Sequence, residues 1–282
     1  MDRMEPRSTD QSSRGAFVRG ALALGAGAVL AGAATTGAPE ARADDQALTC
    51  ADSARTVLDT ALTLERLMVT FYYKALTSRG VMRDSQLAGP SANPNNPGLP
   101  PGGHPSNVRY LQAALDAEVK HAAMLTREGA RSPYTRFYFP DTTFRSLGNA
   151  HRGGSFLGLL DLLERLSETL YVTAATQLLR LRQDRLATLA TDILGVESEH
   201  CALGRVIGQV GPANDLTLRG EPFSCMSDAQ RALNPFLTGK RFLFASDVRT
   251  ATPLPTSAQT KRVIGKHGTV LVSSYLLRSG KR

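Results

Sequence analysis

Tryptophan is absent from the 282-residue sequence, and aromatic residues make up only 6% of it. Alanine and leucine, by contrast, are plentiful. Alanine and leucine favour helices, whereas aromatic and β-branched residues favour strands. The composition therefore predicts a mainly helical protein rather than one built on sheets.

Cysteine is also scarce, with only Cys50, Cys201 and Cys225, and none of them belongs to a Cys-x-x-Cys pair. Disulfides persist outside the cytosol, where Cys50 and Cys225 are the candidate partners. Such a bridge would tie the start of the first predicted helix to the segment after the last one. Cys201 would then be a small buried residue.

A strongly apolar run of about 20 residues, the length of a membrane span, is lacking as well. The N-terminal stretch ALALGAGAVLAGAATTG is rich in alanine and glycine and only weakly apolar. A basic stretch precedes it, and an Ala-x-Ala site at Ala41 and Ala43 follows it, a pattern typical of an export signal. We therefore expect residues 1–43 to be a signal peptide, with an uncleaved anchor as the alternative.

The leader segment SSRGAFVR is similar to a twin-arginine export signal, but Gly15 stands where the second arginine belongs. The twin-arginine and the general export routes both stay open. Either route predicts a periplasmic, cell-envelope or secreted protein.

Acidic residues are nearly missing from residues 236–282, where nine Lys and Arg stand against Asp247 alone. Residues 44–235 carry 19 basic and 20 acidic residues, so the formal net charge of +8 belongs to the tail. A basic tail can contact an acidic envelope polymer or a membrane surface. The simpler expectation is a solubilising, loosely ordered end, and we predict no specific nucleic-acid binding. Residues 211–282 are thus expected to form an irregular basic C-terminal extension.

Four segments show the apolar periodicity of helices. A long stretch rich in Pro, Gly and Asn follows the first helix and is predicted to be loop. An aromatic stretch broken by Pro and Gly follows the second, and a tight connection near Arg182 follows the third. Short loops make antiparallel neighbours, whereas long connections permit crossovers. The predicted helices are 52–78, 106–129, 155–182 and 184–209.

A glutamate lies near the middle of each predicted helix, on its apolar stripe. Two of these glutamates are followed three residues later by histidine, in EVKH (118–121) and ESEH (197–200). One Glu from each of two helices, with Glu-x-x-His from each of the other two, is the ligand set of a carboxylate-bridged dimetal site. The predicted metal ligands are Glu65, Glu118, His121, Glu164, Glu197 and His200.

The charges of this set explain why metal is expected. Four carboxylates carry four negative charges, which two divalent cations balance inside an apolar bundle. Without metal, the carboxylates would repel each other and would need raised pKa values or water. Oxygen and imidazole ligands suit iron or manganese, and also zinc, whereas the lack of sulfur disfavours copper(I). We expect two divalent metal ions, iron or manganese.

Several neighbours of these ligands have weaker assignments. Tyr72 and Tyr171 lie two turns beyond their helix's glutamate and either line the site or serve as core residues. Glu168 is either an alternate or supporting ligand or a solvent-facing residue, and Glu199 is expected to face solvent. Asp161, one turn before Glu164, could orient a ligand.

The sequence resembles the ferritin-like superfamily, and specifically the exported bacterial ferritin-like domain family, which is similar to desiccation-related proteins. The resemblance lies in TALTLERLMVTFYYKAL, DAEVKHAAML, FYFPDTTF, FLGLLDLLERLSETLYVTAA and ILGVESEHCALGR. It implies that residues 44–210 form an antiparallel four-helix bundle with a long crossover between helices two and three. It also implies that the six predicted ligands bind metal.

Two functions follow as hypotheses. The first is an exported dimetal protein that reacts with oxygen or peroxide, as a peroxide-disproportionating or ferroxidase-like oxidoreductase. The second is a structural or stress protein of the cell envelope, stabilised by metal or free of it. A large storage cage is disfavoured, because the first connection is far longer than the hairpin loop of cage-forming ferritins.

Overall fold

The computed structural model describes residue 50 and residues 52–88, 106–148, 154–210, 222–240, 249–266 and 268–269. These residues form eight helices and two strands. The elements are α1 Ala54–Thr77, α2 Arg79–Met82, α3 Ser85–Ala88, α4 Ser106–Arg127, β1 Arg136–Pro140, α5 Phe156–Arg180, α6 Asp184–Ile207, α7 Met226–Thr238, β2 Arg249–Pro253 and α8 Ser257–Ile264. The predicted signal peptide lies outside the described residues, and so do residues 270–277 of the final apolar stretch TVLVSSYLL.

The mainly helical prediction is confirmed, and the four predicted helices are α1, α4, α5 and α6, with bounds that differ by at most two residues. Helix α1 packs against α4 and α5, α5 packs against α6, and α4 also contacts α6. Two of the helices begin with serine caps: Ser53 Oγ accepts from Thr56 N, and Ser155 Oγ accepts from Gly158 N. Such caps satisfy backbone donors that the first turn leaves open.

Helix α1 is the centre of the core. Its leucines and its Phe71 are buried around much of the helix circumference, which is the pattern of a helix enclosed on several sides. Besides α4 and α5, it contacts α7, α8 and β2. The enclosure of α1 places its single glutamate, Glu65, deep in the molecule.

The stretch after α1, predicted to be loop, is partly helical. It contains the one-turn helices α2 and α3, whose Val81 and Leu87 are fully buried. At Gly80 an added Cβ would lie 2.2 Å from the Arg145 carbonyl oxygen, so glycine allows the crossover to pass directly over α2. Helices this short show no periodicity. The apolar residues Val81 and Leu87 were therefore the only feature of this stretch that indicated buried structure.

The crossover between α4 and α5 pairs with the C-terminal part of the chain. Strands β1 and β2 are antiparallel, with Phe137 opposite Thr252 and Phe139 opposite Thr250. Both phenylalanines are buried, and Phe139 packs against Phe71 of α1. The described part of residues 211–282 is therefore more regular than the predicted irregular extension, because it completes a two-stranded sheet.

The last described residues lie against α4. Gln112 Nε2 donates to the Val263 carbonyl oxygen at 2.8 Å, and Thr269 N donates to Asp116 Oδ2 at 2.6 Å. The Lys120 ammonium bonds to Asp116 and also to Thr269. This part of the basic tail is thus docked on the helix that carries Glu118 and His121. No helix in the described part of the chain is both long and apolar enough to cross a membrane.

A disulfide joins Cys50 to Cys225, as the cysteine positions suggested, and Cys201 is buried in α6. The Cα atoms of the bridge lie 5.7 Å apart, within the usual range for disulfides. Asp52 Oδ2 accepts from Ser227 N at 3.1 Å beside it. The start of the first long helix is therefore fastened to the start of α7.

Replacing Cys50 and Cys225 by serine is expected to destabilise the protein. The bridge closes a loop of 175 residues, which restricts the unfolded chain. We expect a loss of about 2–4 kcal/mol and a Tm lower by roughly 5–10 °C. Thermal unfolding of the double variant and of the reduced wild type should give the same shift, and an unchanged Tm in both would contradict the prediction.

Candidate metal centre

The six predicted ligands come together between the four long helices. All six are buried, and each is carried by the apolar face of its helix. Helices α1 and α5 each supply one glutamate, and α4 and α6 each supply a Glu-x-x-His pair, whose members lie on one face because they are three residues apart. The set is Glu65, Glu118, His121, Glu164, Glu197 and His200.

The six residues form two overlapping groups. Within each group, one nitrogen or oxygen atom from every residue lies within 4.8 Å of the others. Glu118 and Glu197 belong to both groups. Glu65 and His121 complete the first, and Glu164 and His200 complete the second. The arrangement offers two adjacent four-residue positions that share two carboxylates.

Both histidines turn Nδ1 towards the carboxylates. His121 Nδ1 lies 3.2 Å from Glu197 Oε1 and 3.4 Å from Glu65 Oε2. His200 Nδ1 lies 3.0 Å from Glu118 Oε1 and 3.9 Å from Glu197 Oε2. Each histidine thus approaches the glutamate of the Glu-x-x-His pair on the other helix: His121 approaches Glu197, and His200 approaches Glu118. Nδ1 is the nitrogen available to a ligand at the centre.

The hydrogen-bond pattern fits divalent metal. Among the described residues, eight inward-facing atoms of the centre have no hydrogen-bond partner. Unpaired buried carboxylates are costly, and cations with oxygen and imidazole ligands remove that cost. The atoms are Oε2 of Glu65, both carboxylate oxygens of Glu118 and of Glu197, Oε2 of Glu164, and Nδ1 of His121 and of His200.

The outer oxygens of the two unshared glutamates are held by tyrosines in a crossed arrangement. The Tyr72 hydroxyl of α1 donates to Glu164 Oε1 of α5, and the Tyr171 hydroxyl of α5 donates to Glu65 Oε1 of α1. Both tyrosines are fully buried. Their location agrees with the prediction that these tyrosines line the site. The repeated Glu-x6-Tyr spacing was the available signal, although it does not show that each tyrosine serves the opposite helix.

Burial and mutual repulsion change the acidity of the centre. Burial raises the pKa of Glu118 and of Glu164, and the nearby charge of Glu197 raises both further. Burial alone would also raise the pKa of Glu65, but attraction to His121 and close polar contacts with His121, Glu118 and Tyr171 together lower it. Burial would lower the pKa of His121, but attraction to Glu65 and close contacts with the carboxylates of Glu118, Glu197 and Glu65 together raise it. Burial lowers the pKa of His200. In the absence of metal, Glu65 and His121 therefore favour their charged forms, whereas Glu118, Glu164 and His200 favour their neutral forms.

Burial is also the main reason that the pKa values of Tyr72 and Tyr171 lie well above 10.0. The neighbouring carboxylates add to the shift by repelling a phenolate. Both hydroxyls therefore keep their protons at neutral pH, as donation to the glutamates requires.

The Tyr72→Phe variant is expected to weaken metal binding at the Glu164 and His200 position by about tenfold, because the carboxylate loses the donor that orients it. Tyr171→Phe should affect the Glu65 and His121 position to a similar degree. Competitive titration with a metal-sensitive dye would measure both constants. Tyr73→Phe, on the neighbouring half-buried tyrosine, is the matched control. Equal affinities in all three variants would contradict a positioning role.

The remaining predicted neighbours lie outside the centre. Glu199 is exposed, as expected, and Glu168 is buried but belongs to neither group. The Asp161 carboxylate pairs with Arg165 at 3.1 Å and with the buried Arg205 at 3.7 Å. Asp161 thus joins α5 to α6 rather than orienting a ligand. The i, i+4 spacing of Asp161 and Arg165 was the signal for this pair.

Comparison with known protein families agrees with this geometry. The family model of the ferritin-like domain matches residues 53–209, more than half of the chain. The chain belongs to the ferritin-like domain family. The matched region contains all four long helices and all six residues of the centre, and it ends before α7.

No curated protein and no solved structure matches the chain significantly. The narrower resemblance of this ferritin-like domain to exported and desiccation-related proteins stays a prediction.

Proposed function

We propose that this ferritin-like domain binds two divalent metal ions, iron or manganese, within an antiparallel four-helix bundle, for redox chemistry with oxygen or peroxide. The observation that carries the proposal is the pair of overlapping residue groups that share Glu118 and Glu197. The four negative charges of the carboxylates balance the four positive charges of two divalent cations. This balance explains why four acids can be buried in one place.

Each ion would have two ligands of its own and would share two further ligands with the other ion. Glu65 and His121 would hold one ion, Glu164 and His200 would hold the other, and Glu118 and Glu197 would be shared by both. Bound iron or manganese would supply the redox electrons and polarise a small oxidant.

The chain's own residues prepare the centre for this chemistry. The buried leucines of α1 and α5 exclude bulk water, which strengthens electrostatic interactions inside. Tyr72 and Tyr171 each hold one oxygen of a glutamate, so that the other oxygen faces inwards. Their protonated hydroxyls are also the nearest proton donors to the unshared carboxylates identified above.

The proposal includes export of the protein. The Cys50–Cys225 disulfide supports an oxidising compartment, in line with the signal predicted over residues 1–43. Contact of the basic tail with an acidic envelope polymer or a membrane surface stays a prediction. A large storage cage is not part of the proposal.

The direct test is metal content by mass spectrometry, on protein purified from its own compartment without chelator. We expect about two iron or manganese ions per chain, and almost none in a Glu118→Ala/His200→Ala double variant. Absence of metal from the wild type would overturn the proposal.

A structural role for the metal is the second candidate, because the six residues join all four long helices. The Glu65→Ala variant separates the two roles. Turnover in the wild type that is lost in the variant would favour catalysis, whereas a lower Tm without turnover in either protein would favour structural metal.

A further inference from the structure

A small cleft reaches from the surface to the His200 half of the metal centre. It lies between α4, α5 and α6, with one side chain of α1 at its inner wall. Tyr110, which is 40% exposed, stands at the outer end, and the buried His200 and Tyr72 form the inner end. Between them lie Leu160, Leu203, Gly204 and Ile207.

Gly204 accounts for the position of the cleft. It lies one turn beyond His200 on the same face of α6, and it has no side chain to cover the histidine. The matching position on α4, one turn beyond His121, is Leu125, which is buried. Glycine is less favourable than alanine inside a helix. At this position the lack of a side chain lets Leu160 of α5 approach α6 closely.

The cleft is narrow at this glycine. A Cβ added at Gly204 would lie 3.0 Å from Leu160 Cδ2, closer than ordinary contact allows. The remaining space holds about one molecule of the size of water. Any side chain at position 204 would therefore take up part of the passage, and a branched one would fill it.

The walls select the occupant by polarity as well as by size. Leu160, Leu203 and Ile207 offer no hydrogen bonds, so a hydrated metal ion or an anion would lose its solvation in the passage. Hydrogen peroxide would lose hydrogen bonds to water as well. Dioxygen is neutral and apolar, and although it is longer than a water molecule it is about as wide, so it fits the passage end-on.

We infer that this cleft is the access route of dioxygen to the metal centre, and that Gly204 and Leu160 set its width. The inference rests on the proposed function, and it narrows the oxidant to dioxygen. It also assigns a direction of approach, from the side of His200 rather than that of His121.

The first test measures the passage without turnover. The full chain is loaded with zinc, which is diamagnetic and does not react with dioxygen, and methyl relaxation is recorded by NMR under dioxygen pressure. The methyl groups of Leu160 and Ile207 are each 1% exposed, and those of Leu62 are 0% exposed in the core. We expect dioxygen to enhance relaxation at Leu160 and Ile207 well above the level at Leu62.

Variants at Gly204 and Leu160 test whether these two residues set the width of the cleft. Gly204→Val should lower the enhancement at Leu160 and Ile207 to the level of Leu62. In the iron-loaded protein it should slow the second-order reaction with dioxygen by about tenfold. Gly195→Val is the matched control, because it lies on the same helix and an added Cβ there meets nothing within 4 Å.

Leu160→Ala widens the same point from the opposite side. Leu160→Ala should raise the relaxation enhancement by dioxygen at Ile207. In combination with Gly204→Val it should restore the rate of reaction with dioxygen. The double variant keeps the test decisive even if Gly204→Val alone folds poorly. Equal enhancement at Leu160, Ile207 and Leu62 in the wild type would overturn the inference. Unchanged enhancement and rate in Gly204→Val would do the same.

The zinc content of the NMR sample separates this inference from the proposed function. Zinc at about two ions per chain with no dioxygen signal in the cleft would reject the access route and leave the metal centre intact. A chain that binds no zinc, iron or manganese would reject the proposed function itself.

Discussion

The Glu118→Gln variant is expected to lose both metal ions, whereas Glu65→Gln is expected to lose one. Glu118 belongs to both ligand groups, and Glu65 belongs only to the group completed by His121. Glutamine keeps the size of glutamate but removes the negative charge that a shared ligand supplies to both ions. Removing a residue that only orients a metal ligand already weakens metal binding by about 10–100-fold. Removing a ligand shared by both ions should therefore weaken binding by more than this at both positions.

Metal-to-protein ratios after dialysis against a weak chelator would measure this difference. We expect about two ions in the wild type, about one in Glu65→Gln or Glu164→Gln, and almost none in Glu118→Gln or Glu197→Gln. Glu199→Gln is the matched control, since Glu199 is exposed on α6 two residues from a shared ligand. A ratio near one in both shared-ligand variants would show that the carboxylates do not bridge.

In metal-free protein, the same Glu118→Gln change is expected to stabilise the fold at alkaline pH. Burial and neighbouring charges hold the pKa of Glu118 and of Glu164 well above their ordinary value of 4.5. Both groups therefore bind protons more tightly in the folded state than in the unfolded chain. Their contribution to stability is fully present below pH 4.5 and is lost as the pH rises through the raised folded-state pKa.

Metal-free wild type should accordingly be less stable at pH 8 than at pH 5.5, as measured by urea unfolding in chelator. The raised pKa of His121 acts in the same direction, and the lowered pKa of His200 opposes it. Glutamine at position 118 removes one of the two charges responsible. It should add about 1–3 kcal/mol at pH 8 and flatten the pH dependence.

Metal should reverse this order. At saturating iron or manganese the wild type gains the free energy of binding, which Glu118→Gln cannot gain, so the wild type becomes the more stable protein. The exposed Glu199→Gln should follow the wild type in both states. If Glu118→Gln is less stable than the wild type without metal at pH 8, the carboxylates are stabilised by something other than protons or metal.

The helices and the ligand set could be predicted because both depend on local spacing. A turn of 3.6 residues places Glu118 with His121, and Glu197 with His200, on one face whatever the surroundings. The apolar stripe around each glutamate then points that face inwards. Six residues on four segments could therefore be named before their distances were known.

Other features escaped prediction because they join distant parts of the chain. Nothing near Phe137 or Thr252 in the sequence shows that their strands pair, since the partners lie more than a hundred residues apart. The anchors Val81 and Leu87 belong to helices too short to show a period. The docking of Thr269 on Asp116 likewise depends on how the chain returns to α4.

The spacing of charged and apolar residues alone was enough to determine a helical protein with four acids and two histidines at its centre, because helix geometry repeats every few residues. The division of that centre into shared and unshared candidate ligands, the crossed tyrosines and the close approach of Leu160 to Gly204 depend on packing. These features depend on which helices become neighbours and at what distance. Such contacts form between segments far apart in the chain, where local spacing carries no information.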